Sequence, residues 1–576
     1  MKRLLLMLAL VGSVWSLGAH SAAKKEVVLN IIETSDVHGS YFPYNFITRK
    51  QQNGSLARLS SLVNERRSQY KDAFMLVDNG DILQGQPIAY YYNYIDTKTE
   101  HVCASMLNYL RYDLGNMGNH DVEPGHAVYD RWVSQCKFPV LGANIIDTRT
   151  NKPYLPPYKV LEREGVKVAV LGMITPAIPS WLPEQLWSGL RFDDMETTAR
   201  YWVKIIKEKE NPDIIIGLFH AGPEGNQLGD AIENGSEIVA RNVPGFDVVF
   251  MGHDHQRHCR KVVNAAGDSV LITGPSNAAR CVSDVMIKVV KKNGKLVKKE
   301  VSGQITELDA YPVDQTFMKT FDPQYRATLD FVSRKIGHMS STISSKDAFF
   351  GPSAFIDLLH QLQMDLTGAE ISFCASLSPT AEIKEGDIYV SDMFNLYRYE
   401  NMLYTMKLSG KEIKGFLEMS YALWTNQMKS ASDHLLLLDD SMSGFGRFKN
   451  PTFNFDSAAG IIYTVDVTKP EGSRVDIKSM ADGTPFQMDK IYKVAINSYR
   501  GNGGGDLLTK GAGIPKKELK SRIVTSTEKD LRYYLMKRIE EKKQLDPKPL
   551  NQWKFIPEEW TVPAAKRDYE TVFKRE

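Results

Sequence analysis

The sequence predicts two α/β domains, the first a layered α/β sandwich whose loops gather at one edge. Three observations carry this expectation. At 576 residues the chain exceeds the roughly 250–300 residues at which one hydrophobic core stops growing. Before residue 260, short β-branched runs alternate with segments of helical apolar spacing, the pattern of strands covered by helices. Five successive strand ends carry clusters of Asp, His, Asn and Gly.

The N-terminus is set apart from the rest. Lys2 and Arg3 precede the apolar run Leu4 to Val14, and small residues follow up to Ala23. This reads as a secretory signal peptide over residues 1–23, cut near Ala22 or Ala23, so the protein is expected to be exported, periplasmic or secreted. A membrane span needs about 20 apolar residues, and this run is too short. The remaining composition, 43% hydrophobic and 24% charged over the whole chain, is that of an ordinary globular protein. Loss of Lys2 and Arg3 from 71 basic side chains leaves 69 against 69 acidic ones. Without a dense Lys/Arg block, that neutrality argues against a polymeric nucleic-acid partner, whose affinity comes mostly from phosphate neutralisation, but allows a small nucleotide. The five cysteines form no CxxC pair; in an exported chain Cys259 with Cys281 and Cys103 with Cys136 are the disulfide candidates, leaving Cys374 over.

Taken in order, residues 26–32 read as a strand running into Thr34-Ser35-Asp36-Val37-His38-Gly39. If strand geometry persists, Asp36 and His38 point to one side and suit one ion. A helix over 55–69 and a strand over 73–77 lead to Asp78-Asn79-Gly80-Asp81, where Asp81 is the better placed to share its oxygens between two cations. A helix over 103–110 precedes Met117-Gly118-Asn119-His120-Asp121; glycine permits a sharp turn from which Asn119 and His120 leave in different directions. Strands over 139–144 and 166–174, a helix over 199–209, and strands over 213–219 and 247–250 follow, the last two opening onto His220 and onto Gly252-His253-Asp254-His255. Singly, each fragment reads equally well as a polar turn. Together they supply seven ligands of mixed oxygen and imidazole type, which suits two ions of the Zn, Mn, Co or Fe class better than Ca or Mg.

The ordered set TSDVHG, NGDILQG, MGNHD, FHAG and GHDH resembles the calcineurin-like dimetal phosphoesterases, specifically the secreted 5′-nucleotidase family. The resemblance implies a four-layer α/β/β/α metallophosphoesterase sandwich over 24–310. It implies one ion on Asp36, His38, Asp81 and His255, and a second on Asp81, Asn119, His220 and His253. His120 is then expected to stabilise the transition state beside a carboxylate, either the adjacent Asp121 or Glu123. Two cations about 4 Å apart would lower the pKa of a shared water for in-line attack on phosphorus.

Beyond residue 310 the chain changes character. Residues 315–336 are charged and helix-compatible with a proline, and 339–345 are rich in Ser and Thr, so a linker helix is expected over 311–345. A C-terminal α/β domain over 346–556 and a tail over 557–576 complete the organisation, with helices over 353–366 and 411–423 and strands over 369–373, 462–467 and 492–497. The family resemblance implies that this domain binds substrate in a cleft against the metal domain. The loop Ser498 to Asp506 is glycine-rich but lacks GK[ST], which rejects a P-loop. An aromatic beside glycines can stack on a flat base. The resemblance assigns the base sandwich to Tyr499 and Phe455, with Asn497 and Asp506 near ribose or base. Where 5′-nucleotide hydrolases carry arginines, residues 375–384 read ASLSPTAEIK. In contrast, NSYRGNGGGD, YRYENMLY and FDSAAGIIYTVDVTKP resemble the 2′,3′-cyclic-nucleotide 2′-phosphodiesterase/3′-nucleotidase branch. The expected activity is therefore hydrolysis of 2′,3′-cyclic and 3′-nucleotides, against a 5′-nucleotidase or UDP-sugar hydrolase and against a nucleotide-binding protein without activity.

Overall fold

A computed structural model describes residues 24–228 and 231–574, so the signal peptide read over 1–23 lies outside the described residues. The Val- and Ile-rich strand Lys24–Thr34 pairs antiparallel with Cys281–Lys292 and parallel with Phe74–Asp78. Leu114–Asn116 and Val140–Leu141 extend the parallel side, and Lys295–Glu307 forms the other edge of this six-stranded sheet. A second six-stranded sheet runs in the order His258–Val263, Ser269–Gly274, Val248–Met251, Ile214–His220, Val166–Ile174, Tyr158–Arg163. The inner strands of both sheets are buried on two faces, as runs of β-branched residues without polar alternation require, whereas the edge strands Lys295–Glu307, His258–Val263 and Tyr158–Arg163 are partly exposed.

Between the sheets, Leu29, Ile31, Val77 and Leu114 pack with Val168, Ile216, Leu218 and Phe250. Helices Leu56–Tyr70, Val102–Leu110 and His126–Gln135 cover the first sheet through Leu59, Leu62, Leu107 and Trp132. Met195–Glu210 and Ser236–Asn242 cover the second through Val203, Ile206 and Val239. Each buried side chain of this size contributes roughly 1.5–3 kcal/mol, so the layering follows from the hydrophobic pattern. The expected α/β/β/α order is the one found.

The region read as one linker helix contains two, Gln315–Thr320 and Asp322–Ser333, with Pro323 in the first turn of the second, where its missing N–H costs nothing. Phe317, Phe321 and Val332 pack into the first domain's core. Lys335–Met339 already pairs with Gly386–Tyr389 and Gln544–Leu545, so the C-terminal sheets take up the chain from residue 335 rather than 346. A five-stranded sheet follows in the order Asp456–Ala459, Ile371–Ala375, Ile491–Asn497, Leu403–Ser409, Ile523–Ser526. Helix Gly410–Trp424 packs against it, started by a Ser409–Glu412 capping box.

Two expectations are corrected here. The stretch read as a tail holds the helix Glu558–Phe573, whose Ala564 and Val572 join the C-terminal core and whose buried Asp568 accepts from the Leu436 N–H at 2.9 Å and pairs with the His434 ring. All five cysteines are free thiols. Cys259 and Cys281 sit on strands of different sheets, and Cys281 instead meets the Ser276 hydroxyl at 3.3 Å. Among the described residues no helix is long and apolar enough to cross a membrane.

Candidate metal centre and substrate cavity

Parallel pairing brings the strand ends that carry the candidate ligands to one edge of the sandwich. The strand before Asp36 and His38 ends at Thr34, and both residues lie in the left-handed region, at φ 53° and 48°. They converge through that turn, not through strand alternation. Asp81, His253 and His255 are also left-handed, at φ 57°, 76° and 58°. Gly118 has an ordinary φ of −101°. It must be glycine for another reason: a Cβ there would lie 2.3 Å from both the backbone nitrogen and Oδ1 of Asp81. Close approach, rather than a sharp turn, fixes that residue.

Two groups of candidate ligands result: Asp36, His38 and His255, and Asp81, His220 and His253. In the first, the Nε2 atoms of His38 and His255 are 3.0 Å apart, and His255 Nε2 is 3.4 Å from Asp36 Oδ1. In the second, His220 Nε2 lies 3.1 Å from Asp81 Oδ2 and 3.1 Å from Asn119 Oδ1, and His253 Nδ1 lies 2.8 Å from the same amide oxygen. Asp81 Oδ2 joins the groups, since it is also 3.9 Å from His38 Nε2. That oxygen is buried and has no hydrogen-bond donor. An anionic oxygen left without a donor among imidazole nitrogens fits a bridging ligand of two cations.

Neighbouring groups fix the rings. Nδ1 of His220 donates to the Asn79 carbonyl at 2.6 Å, and Nδ1 of His38 to the Gln84 carbonyl at 3.2 Å, leaving both Nε2 lone pairs for the site. His253 is held by Glu233, whose carboxylate takes its Nε2–H at 2.7 Å. Burial would lower the His220 pKa, but Asp81 and Asp36 outweigh it and push it up to about 10. Burial, helped by the neighbouring His255 and His120 and opposed by Asp81 and Asp36, pulls the His38 pKa down to about 4. The two carboxylates thus favour a proton on His220 only while no cation is bound; a cation taking Nε2 would displace it. Chelation is expected to lower the melting temperature and abolish activity, with Mn or Zn restoring both; saturation a hundredfold above Kd is worth about 2.7 kcal/mol. Scanning calorimetry with and without chelator checks this, and coincident transitions would contradict it.

His120 is partnered by Glu123, whose Oε2 lies 2.5 Å from Nδ1. Asp121 is not the partner. Its carboxylate accepts the backbone N–H groups of Asp81, Ile82, Leu83 and Gly118, each at 2.8 Å, and so holds the two ligand-bearing turns together. Burial opposes protonation of His120, but Glu123 and Asp81 push its pKa up to about 9.

Beside this edge a cavity of about 610 Å³ separates the two domains. Asn119, His120 and His253 face it from one side, and Asn497, Tyr499 and Asp506 from the other. Phe455 does not face it. It is buried in the C-terminal core, stacked on Trp424 at 5.8 Å and 3°. The cavity aromatic that meets Tyr499 is Phe453, edge to face with ring centroids 6.1 Å apart at 87°. The short turn Thr452–Asn454 breaks the strand alternation that would put residues two apart on one face, and so separates the two phenylalanines. The sequence reading also missed Glu233, Tyr399, Asn401 and Trp181, the last stacked on the His253 ring at 5.6 Å. Tyr399 and Asn401 lie within YRYENMLY, which could have marked them; nothing in the sequence marks Trp181. A larger groove of about 940 Å³ elsewhere is lined by Glu26, Asp247, Lys288 and Lys299, which pair with one another, and by none of the candidate ligands.

Residues 29–257 match the family described as calcineurin-like phosphoesterase, and residues 335–510 match the 5′-nucleotidase C-terminal domain. This chain belongs to the calcineurin-like dimetal phosphoesterases. It is 26% identical over 601 residues to the 2′,3′-cyclic-nucleotide 2′-phosphodiesterase/3′-nucleotidase of Haemophilus influenzae, covering 94% of this chain and 89% of that protein. It is 28% identical over 553 residues to the protein of the same name from Salmonella typhimurium, covering 84% and 83%. The trifunctional nucleotide phosphoesterase protein YfkN of Bacillus subtilis is 27% identical over 94% of this chain, but the match spans only 40% of that longer protein. Among solved structures, the 5′-nucleotidase precursor from Thermus thermophilus superposes with a TM-score of 0.63 at 20% identity, covering 92% of this chain and 99% of that one, which supports the fold. As a metal-dependent phosphoesterase, the chain has its two candidate metal groups at the strand ends of the calcineurin-like domain.

Proposed function

We propose that this phosphoesterase is exported and hydrolyses 2′,3′-cyclic nucleotides and 3′-nucleotides to nucleosides and phosphate. One observation carries the reading: a single cavity has His120 and His253 on one wall and Tyr499, Phe453, Asn497 and Asp506 on the other. A phosphoryl group at the first wall leaves its nucleoside at the second. Asp36, His38, Asp81, Asn119, His220, His253 and His255 would hold two cations, which when bound supply an activated water and a clamp on the phosphoryl oxygens. His120, kept cationic by Glu123, offers a proton and a positive charge to the phosphoryl or leaving oxygen. Tyr499 presents its face to the base, while the perpendicular Phe453 meets it edge-on or turns to stack.

The charge of the cavity favours one phosphate over a diphosphate. Glu123, Glu233 and Asp506 line it, and its lysine, Lys510, is paired with Asp506 at 2.8 Å. No arginine is among its described lining residues. The names of the Haemophilus and Salmonella relatives support the same preference. Parallel assays on 2′,3′-cyclic AMP, 3′-AMP, 5′-AMP and UDP-glucose with added Mn or Zn test it. Preference for the first two is expected. Faster turnover of 5′-AMP would replace the reading with a 5′-nucleotidase, and turnover of none would leave a binding protein. Mass analysis of protein recovered outside the cytoplasm, starting near residue 23, tests the export.

Tyr499→Ala is expected to raise the KM for 3′-AMP roughly tenfold, since base–aromatic stacking is worth about 1–3 kcal/mol, while a small aryl phosphate loses little. Phe455→Ala should instead lower the melting temperature by removing a core ring, with KM retained. Equal losses on nucleotide and aryl phosphate in Tyr499→Ala would contradict the base-stacking role.

A further inference from the structure

We propose that Arg500 is a positioning residue that sets the spacing and relative angle of Phe453 and Tyr499, the edge-to-face aromatic pair on the C-terminal wall of the cavity. The inference rests on the nucleotide-binding role proposed above for that wall. Arg500 follows Tyr499 directly and is fully buried. Its Nη2 donates to the Phe453 carbonyl at 2.8 Å and to Asp456 Oδ2 at 2.7 Å. Its Nη1 donates to Asn454 Oδ1 at 3.0 Å and to the Gly504 carbonyl at 2.5 Å. One planar fork thus ties the turn Thr452–Asn454, which carries Phe453, to the loop that carries Tyr499.

A salt bridge to Asp456 alone would make Arg500 a buried counter-ion. Three of its four bonds go elsewhere, to the two loops that form the aromatic wall. Burying a guanidinium is costly unless its donors are satisfied; Nη1 and Nη2 each make two bonds and only Nε is without a partner, so the four bonds hold the geometry in one arrangement. The glycines of NSYRGNGGGD take their meaning from the same packing. A Cβ on Gly504 would lie 2.6 Å from the Tyr499 ring. At Gly505, with φ 69°, it would lie 2.2 Å from Arg500 Nη1 and 2.3 Å from Asn454 Oδ1. The run lets the backbone press onto Tyr499 and Arg500, and Phe455, stacked on Trp424, anchors the far end of the opposing turn.

The test compares Arg500→Lys with wild type and with Tyr499→Ala, each metal-loaded and assayed on 3′-AMP and on p-nitrophenyl phosphate. Lysine keeps a cation beside Asp456 but cannot reach both loops with a fixed fork. Arg500→Lys is expected to raise the KM for 3′-AMP about tenfold with kcat reduced no more than twofold, and to broaden the near-ultraviolet circular dichroism of the aromatic wall. An unchanged KM in a folded Arg500→Lys variant would overturn the positioning role if Tyr499→Ala still raises KM. If neither variant raises KM, the aromatic wall itself is not the nucleotide site. Should Arg500→Lys fail to fold, the double variant Arg500→Met with Asp456→Asn removes both buried charges together; the same KM increase is expected there, and an unchanged KM overturns the proposal.

Discussion

Asp81→Asn is expected to lower kcat/KM for 3′-AMP by at least about a thousandfold, the largest loss from any single change in the chain. The amide keeps an oxygen for the His120 backbone N–H, which now donates to Asp81 Oδ1 at 2.7 Å, so the turn should survive. The other oxygen is the one with no donor, set between His220 and His38. Replacing it with an NH₂ group removes an anionic ligand from both metal groups and turns a donor toward His220. Metal analysis of the purified variant should give fewer than two ions per chain. Near-normal turnover with two bound metals would remove Asp81 from the bridging position.

His120→Ala is expected to reduce kcat about a hundredfold or more, the size of a lost general acid or a lost positive charge at the transition state, with both metals retained. An unchanged rate would remove His120 from the reaction. Glu123→Gln separates charge from geometry, because the amide still reaches Nδ1. With the imidazolium held to about pH 9, activity that needs it persists below that pH and falls as pH rises through it. The same shift, up from about 6.5, gives stability that is complete below pH 6.5 and lost as pH rises through 9. Bound cations act in the opposite direction, so the variant and wild type must be compared in one metal state. Glu123→Gln should move the alkaline limb of kcat/KM to lower pH by about 1 pH unit. Coincident alkaline limbs would show that Glu123 does not hold the proton.

The calcineurin-like domain was legible because its information is local. Runs such as 166–174 are too apolar for anything but a strand buried on both faces, and the polar residues just after such runs can only emerge at one sheet edge. The seven candidate ligands followed from that, while their division between two ions came from the family resemblance. What failed depended on contacts distant in sequence. Phe453 and Phe455 differ by two positions, yet one meets the cavity and the other Trp424, because the short turn Thr452–Asn454 does not preserve strand alternation. Asp121 stands beside His120 in the sequence, but its carboxylate is spent on backbone from residues 81–83 and 118. The terminal helix carries Pro563 and is held by packing and by Asp568, neither of which periodicity reveals.

Five of the seven candidate ligands, Asp36, His38, Asp81, His253 and His255, sit where a side chain is least welcome on the backbone. At about 1 kcal/mol each, that is roughly 5 kcal/mol, comparable with the whole net stability of many domains. The metal edge is therefore a place where the fold gives up stability for ligand geometry: glycine at any of these positions would relax the chain while discarding a ligand.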